Sequence, residues 1–385
     1  MYIVTMSQRK PPQEQIDYIL NLFKSNQIQQ ALDFIDTLSK DYPDKSLLFN
    51  IRGAGYAGLG QLDIAVQNYE KALSIKPDYA KAHYNLGSAL QELGKLHDSV
   101  KSYENSIALE PENAQAHNNL AIVLRELDQL EEAEASCRKA IVLDPEYAEA
   151  YSSLSIILYA NGDLNSALES IEKAYSINPK IKIIKVLLAV LKARKTHKTS
   201  KVSITNIRLI SNPLILNRAV ESELIAKLYE MKSLELDKTR DPSYGNARGS
   251  WYNLFEDDHS SIIRTVEDDL VRIVTKAIKA DIHIKDSFFH IMGAGGAGVN
   301  RHNHIGDLDL DSSLNLINQK FSLVYYLSIG DQDCSKPGTL KLYDPIENIL
   351  PREGKIVIFP ADRYHSVVYN GEKDRIMISI NFYSL

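Results

Sequence analysis

Five prolines, Pro43, Pro77, Pro111, Pro145 and Pro179, stand 34 residues apart. A fixed period of this length constrains the fold more than any other feature. A unit so short cannot bury its own apolar face and must stack on copies of itself. The content between the prolines repeats as well: "HYNLGSALQELGKLHDSVKSYENSIALEPE" is followed by "HNNLAIVLRELDQLEEAEASCRKAIVLDPE". Each unit reads as one helical pattern, a Gly, Asp or Asn break, and a second helical pattern. Proline stops the second helix because it lacks the N–H and crowds the preceding turn. Small residues recur where the two helices must approach: Gly53, Gly87, Ala121 and Ser155 in the first helices, and Ala65, Ser99, Ala133 and Ala167 in the second.

These small, aromatic and proline positions resemble the tetratricopeptide repeat in five consecutive units over residues 11–180. The first unit departs from the pattern, with Ile19 and Leu38 where small residues are expected, and reads as an irregular cap. The resemblance implies an all-α solenoid whose concave face binds a protein or peptide. Asn50, Asn85, Asn118 and Arg125 are candidate lining residues of that face, against the plainer expectation of solvated helix surface.

From Lys180 to Lys201 the chain carries eight basic residues and no acidic one. Its apolar positions have helical spacing, so residues 181–204 are expected to cap the open end of the solenoid and continue as a basic linker. Over 205–385 the pattern changes. "AVESELIAKLYEM" and "IIRTVEDDLVRIVTKAIKA" read as amphipathic helices. Short β segments broken by Gly, Pro and Asp follow: "SFFHIM", "KFSLVYYLSI", "GTLKLYD", "GKIVIFP", "HSVVY" and "RIMISINFY". This order predicts a β-sandwich or barrel with helical support.

Charge is near balance, with 44 basic and 50 acidic residues and a net charge of −6, so nothing global favours nucleic acid as a partner. Two cysteines, Cys137 and Cys334, lie in different halves and read as buried free thiols in a reducing compartment. No segment has the length of a signal peptide core or a membrane span. A soluble, cytoplasmic protein is expected, with Met6 an equally good start.

The chemistry-bearing stretch is "HIMGAGGAGVNRHNHIGDLDLD". Gly293, Gly295 and Gly298 form a G-x-G-x-x-G, but no helical stripe follows to hold a pyrophosphate, so a loop is expected instead of a nucleotide site. His302 and His304 are spaced i, i+2, which puts two imidazoles on one face of a strand. A third histidine, His365, opens a later strand. Asn370-Gly371 is a turn signal, so His365–Tyr369 and Arg375–Phe382 are expected to form a hairpin. In that register His365 and Arg375 share a face, roughly 13 Å apart along the ladder. A buried arginine requires an anion, and a dicarboxylate gripping a metal at one end and the guanidinium at the other would supply it.

That arrangement resembles the Fe(II)/2-oxoglutarate-dependent dioxygenases, in particular their prolyl 4-hydroxylase-like branch. The resemblance rests on "RHNHIGD", "SLVYYLSI", "PGTLKLYDP", "REGKIVIFPADRYHSV" and "DRIMISINFY", over about residues 285–385. It implies a multidomain chain, an all-α solenoid followed by an α+β domain with a double-stranded β-helix (jelly-roll) core. It also implies that His302, His304 and His365 hold Fe(II), that Arg375 binds the far carboxylate of 2-oxoglutarate, and that Tyr326 and Ser379 assist. The family pattern places a carboxylate where His304 stands. Three readings follow: a three-histidine site, a carboxylate ligand from Asp307 or Asp309, or two histidines alone. The implied activity is hydroxylation, with O₂ as the second co-substrate, of a protein or peptide recruited by the repeats. The alternative is a protein-binding adaptor with an inactive or structural-metal β domain. The loop Asp241–Asp258, with Trp251, is the candidate cover of the mouth.

Overall fold

The structure is a computed structural model that describes residues 11–199, 212–231, 234–235, 247–250, 252–293, 297–311, 314–330, 339–369 and 371–385. It divides into two units, Met1–Pro179 and Lys180–Leu385. Among the described residues no helix is long and apolar enough to cross a membrane. Cys334 and Trp251 lie outside them.

The first unit is a series of helix pairs: α1 (Gln13–Lys24) and α2 (Ile28–Asp41), α3 (Ser46–Gly58) and α4 (Leu62–Ile75), α5 (Ala80–Glu92) and α6 (Leu96–Leu109), α7 (Ala114–Glu126) and α8 (Leu130–Leu143), α9 (Ala148–Ala160) and α10 (Leu164–Ile177). The break inside each pair has one backbone solution. Asn26, Gly60, Gly94, Asp128 and Gly162 all have positive φ. The N–H of the next residue then reaches back to the carbonyl of Leu22, Tyr56, Leu90, Leu124 or Leu158, at 2.9 Å in every unit. This left-handed closure uses up carbonyls that a helix end leaves without partners, which is why Gly, Asn and Asp stand there. The first unit keeps it too, and its larger Ile19 and Leu38 are simply core residues.

Size complementarity joins the helices within a pair. A Cβ on Gly53 would lie 2.5 Å from the Tyr69 ring, and one on Gly87 2.9 Å from the Tyr103 ring. The equivalent positions downstream are Ala121 with Cys137 and Ser155 with Ile171, all fully buried. Where the first residue is larger than glycine, the second is smaller than tyrosine. We expect Gly53→Ser to lower stability by about 1–3 kcal/mol through overpacking. Adding Tyr69→Ile, which copies the Ser155–Ile171 pair, should recover much of it. Urea midpoints of the helical signal measure both.

Two of the expected groove residues are buried instead of solvent-facing. Asn50 and Asn118 are 4% and 3% exposed. They pair with Tyr79 and Tyr147, and Asn50 also accepts a hydrogen bond from Asn85 at 3.0 Å. Asn85 and Arg125 are half-buried.

The second unit begins with α11 (Lys182–Thr199), which the sequence suggests as a cap for the solenoid. It falls in this unit, where it contacts β4 (Ile282–Met292) and pairs Lys185 with Glu256. Around β4 the strands are β1 (Leu214–Asn217), β2 (Leu234–Glu235), β3 (Ala247–Gly249), β5 (Ala297–His302), β6 (Lys320–Ser328), β7 (Leu340–Leu342), β8 (Glu347–Ile349), β9 (Lys355–Pro360), β10 (His365–Tyr369) and β11 (Arg375–Ser384). They form a seven-stranded sheet ordered β1-β9-β6-β11-β4-β3-β2 and a four-stranded sheet ordered β5-β10-β7-β8. One face of the large sheet packs on α12 (Ser222–Glu230), α13 (Leu254–Asp257) and α14 (Ser261–Ile278). Its other face shares a core with the small sheet. Period-two alternation sorts β11 between these layers: Ile376, Ile378 and Ile380 face the helices, while Met377 lies in the core between the sheets, with Arg375 and Ser379 on its side.

Two expectations change here. His365–Tyr369 and Arg375–Phe382 are not a hairpin, because β10 pairs with β5 and β7 while β11 pairs with β4 and β6. The chain crosses from one sheet to the other after Tyr369. The end of the glycine-rich stretch is strand where a loop is expected, since β5 begins at Ala297.

Candidate metal centre

His302 ends β5 and His365 begins β10, and the two are direct partners in the antiparallel ladder. His304 lies two residues beyond β5, where its N–H donates to the Ala361 carbonyl at 2.9 Å. The strand ladder therefore aligns two imidazoles, and the third joins them from beyond the ladder. Ring centroids are 4.2 Å apart for His302 and His365, 4.9 Å for His302 and His304, and 4.9 Å for His304 and His365. One ring nitrogen from each lies within 4.8 Å of the others, so these three can share one metal ion. The Phe359 ring packs edge-on against His365 at 4.9 Å.

Electrostatics favours the metal-ligating form. Burial, then the neighbouring His365 and His302, push the His304 imidazole down to about 3. Burial and His302 push His365 down to about 4. Both are neutral near pH 7, which is the state that offers a lone pair. His365 Nδ1 lies 3.4 Å from the Arg363 carbonyl, which favours a proton on Nδ1 and leaves Nε2 for a metal.

Asp309 does not join this group. Its side chain is 1% exposed and ion-paired with Lys320 at 2.6 Å. It accepts further hydrogen bonds from Tyr383 Oη at 2.7 Å and the Gly306 N–H at 2.8 Å. The carboxylate alternative at Asp309 is thus taken up by other partners. The side chain of Asp307 lies outside the described residues.

Arg375 is fully buried. It meets His365's strand by a different route from the expected hairpin: its guanidinium lies 4.4 Å above the Tyr369 ring, across the two sheets. Tyr326 is also fully buried, and its hydroxyl has no hydrogen-bond partner among the described residues. Burial pushes that hydroxyl up to about 12, with Arg375 pulling the other way. Ser379 is half-buried and pairs with Phe288 and Val324. Of the candidate cover, residues 241–246 and Trp251 lie outside the described residues. Of the rest, Ala247 on β3 joins the inter-sheet core, and Leu254 and Phe255 on α13 pack on the helix side of the large sheet.

Sequence reasoning missed two inward groups. His290 alternates with Met292 on β4 and pairs with Met377, and burial with His302 pushes its imidazole down to about 4. Period-two counting back from Met292 would have found it, had the β4–β11 register been known. Lys320 stands at the head of the apolar run "KFSLVYYLS" and is 1% exposed. A lysine opening so apolar a strand was the available signal.

Several solved structures are similar to a little under half of this chain. MamA from Desulfovibrio magneticus (residues 41 to the end) shares 21% identity, covers 44% of this chain and 96% of its own, with a TM-score of 0.41. A thermophilic tetratricopeptide-repeat protein from Thermus thermophilus shares 21% over 47% of this chain and 98% of its own, at 0.40. YrrB, described as a tetratricopeptide-repeat protein with an unusual peptide-binding site, shares 22% over 47% and 90%, also at 0.40. No curated protein matches the chain. Family models described as TPR repeat match residues 55–94, and as tetratricopeptide repeat residues 84–148 and 148–181. The helical unit of this protein is a tetratricopeptide repeat array.

Proposed function

We propose that the second unit is an Fe(II)- and 2-oxoglutarate-dependent dioxygenase that hydroxylates a protein or peptide recruited by the repeat array. One observation carries this reading: three imidazoles converge at one end of the inter-sheet core, and a buried arginine stands at the other with a tyrosine hydroxyl that has no hydrogen-bond partner among the described residues. A dicarboxylate has the two anionic ends that a metal and a guanidinium would recognise. The strand order supports a double-stranded β-helix (jelly-roll) core, since β4, β5, β6 and β7 alternate between the sheets, as do β8, β9, β10 and β11.

His302, His304 and His365 would hold the metal and leave coordination positions open. Arg375 would take the distal carboxylate by charge-assisted hydrogen bonds, with Tyr326 donating its hydroxyl. Phe359, Val324 and Val367 line the same inter-sheet core and exclude water. Iron bound there would use O₂ and 2-oxoglutarate to hydroxylate a C–H bond, releasing succinate and CO₂.

Anaerobic titration with Fe(II) and 2-oxoglutarate tests the reading through the visible charge-transfer band of the bound pair. Arg375→Met is expected to keep the metal and weaken 2-oxoglutarate by about 100-fold, the loss of roughly 3 kcal/mol of hydrogen bonding to charged groups. A wild-type chain that takes neither metal nor co-substrate would be an adaptor, its repeats binding a partner without chemistry.

A further inference from the structure

A lysine and an aspartate buried to 1% exposure are expensive, because neither keeps its hydration. Such a pair persists where it decides a geometry, and the partners of this one show which. Lys320 Nζ donates to Asp309 Oδ2 and also to the backbone carbonyl of His304. Tyr383 Oη donates to Asp309 Oδ1, and the Gly306 N–H donates to Asp309 Oδ2. Both carboxylate oxygens are therefore engaged. The groups come from three separate pieces of chain: the start of β6, the end of β11, and the segment between His302 and Asp309. That segment leaves the β5 ladder at His302, so no strand pairing positions His304.

We infer that Lys320, Asp309 and Tyr383 are a positioning unit that sets the His304 arm of the three-imidazole site and keeps the Asp309 carboxylate out of its ligand set. The inference rests on the metal reading of these histidines. Lys320 fastens the His304 backbone to β6. Tyr383 and Gly306 orient the carboxylate that holds Lys320 in place. The result is a site of three imidazole donors from which Asp309, five positions after His304, is held back.

Cobalt(II) binding to the full chain, followed anaerobically by its d–d absorption, tests this without turnover. Tyr383→Phe removes one hydroxyl and Asp309→Asn removes the charge at nearly constant shape. Each is expected to weaken Co(II) by about 10- to 100-fold and to shift the d–d envelope. Tyr325→Phe is the control. Tyr325 is another fully buried tyrosine of the same sheet, but its hydroxyl donates to the Ala219 carbonyl on the helix side. It should leave both readouts unchanged. If wild type binds Co(II) and Tyr383→Phe keeps its affinity and spectrum, or if Tyr325→Phe changes them equally, the positioning role is overturned while the metal site stands. If wild type gives no Co(II) spectrum, both are overturned.

Discussion

Replacing His365 with alanine is expected to cost the protein more than about 100-fold in Co(II) or Fe(II) affinity, exceeding what loss of an outer hydrogen-bonding partner costs elsewhere. The reason is the geometry of burial. His365 is 7% exposed and sits under the Phe359 ring, so water cannot readily take its place. His302 and His304 alone supply two donors from adjacent chain, and nothing in the described acidic residues stands ready as a third, because Asp309 is held by Lys320 and Tyr383. Dialysis titration of wild type and variant measures the difference. The same site has a pH signature. The folded His304 and His365 titrate near 3 and 4, below their ordinary value of 6.5. In the metal-free protein the unfolded chain therefore takes up protons first as pH falls. The stability contribution is intact above about pH 6.5 and is lost toward pH 4, by up to about 1.4 kcal/mol per pH unit for each imidazole. Denaturant midpoints at pH 7 and pH 5, with and without metal, read this directly.

Lys320→Met is expected to destabilise the second unit by about 3–5 kcal/mol, because it leaves the Asp309 carboxylate buried without its cation and the His304 carbonyl without its donor. The double variant Lys320→Met with Asp309→Leu should recover much of that loss, since a matched apolar pair carries no uncompensated charge. Hydrogen exchange along β6 and β11 distinguishes the outcomes: the single variant should lose protection in both strands, the double variant should regain it. If Lys320→Met left protection unchanged, the ion pair would not be holding these strands.

The repeat array was legible residue by residue because its physics is local. Gly60 and Gly94 mark the left-handed closures, Gly53 and Gly87 mark the contacts with Tyr69 and Tyr103, and every one of these interactions spans less than one 34-residue period. The histidines were legible as residue types, but strand periodicity was not what joined His302 and His304, since His304 lies beyond β5 and is held through its N–H bond to the Ala361 carbonyl. The placement of Arg375 over Tyr369 was not legible. Asn370-Gly371 signals a turn, but the residues themselves do not say whether the next strand returns to the same sheet or enters the other. That depends on β4 and β6, strands far earlier in the chain, offering β11 two ladders at once.

The role of Asp309 shows the same division. An acidic residue soon after two histidines has the chemistry of a ligand, and only its surroundings decide otherwise. Those surroundings come from Lys320, 11 residues away, and Tyr383, 74 residues away. By itself the amino-acid sequence determined the period of the solenoid, its closures and which residues could serve as metal ligands, because propensity, sterics and spacing act within a few turns of chain. The tertiary structure alone decided which carboxylate is tied up, which strands share a sheet and which imidazoles meet. Those outcomes depend on competition among partners remote in sequence, and burial makes each competing choice costly to leave unsatisfied.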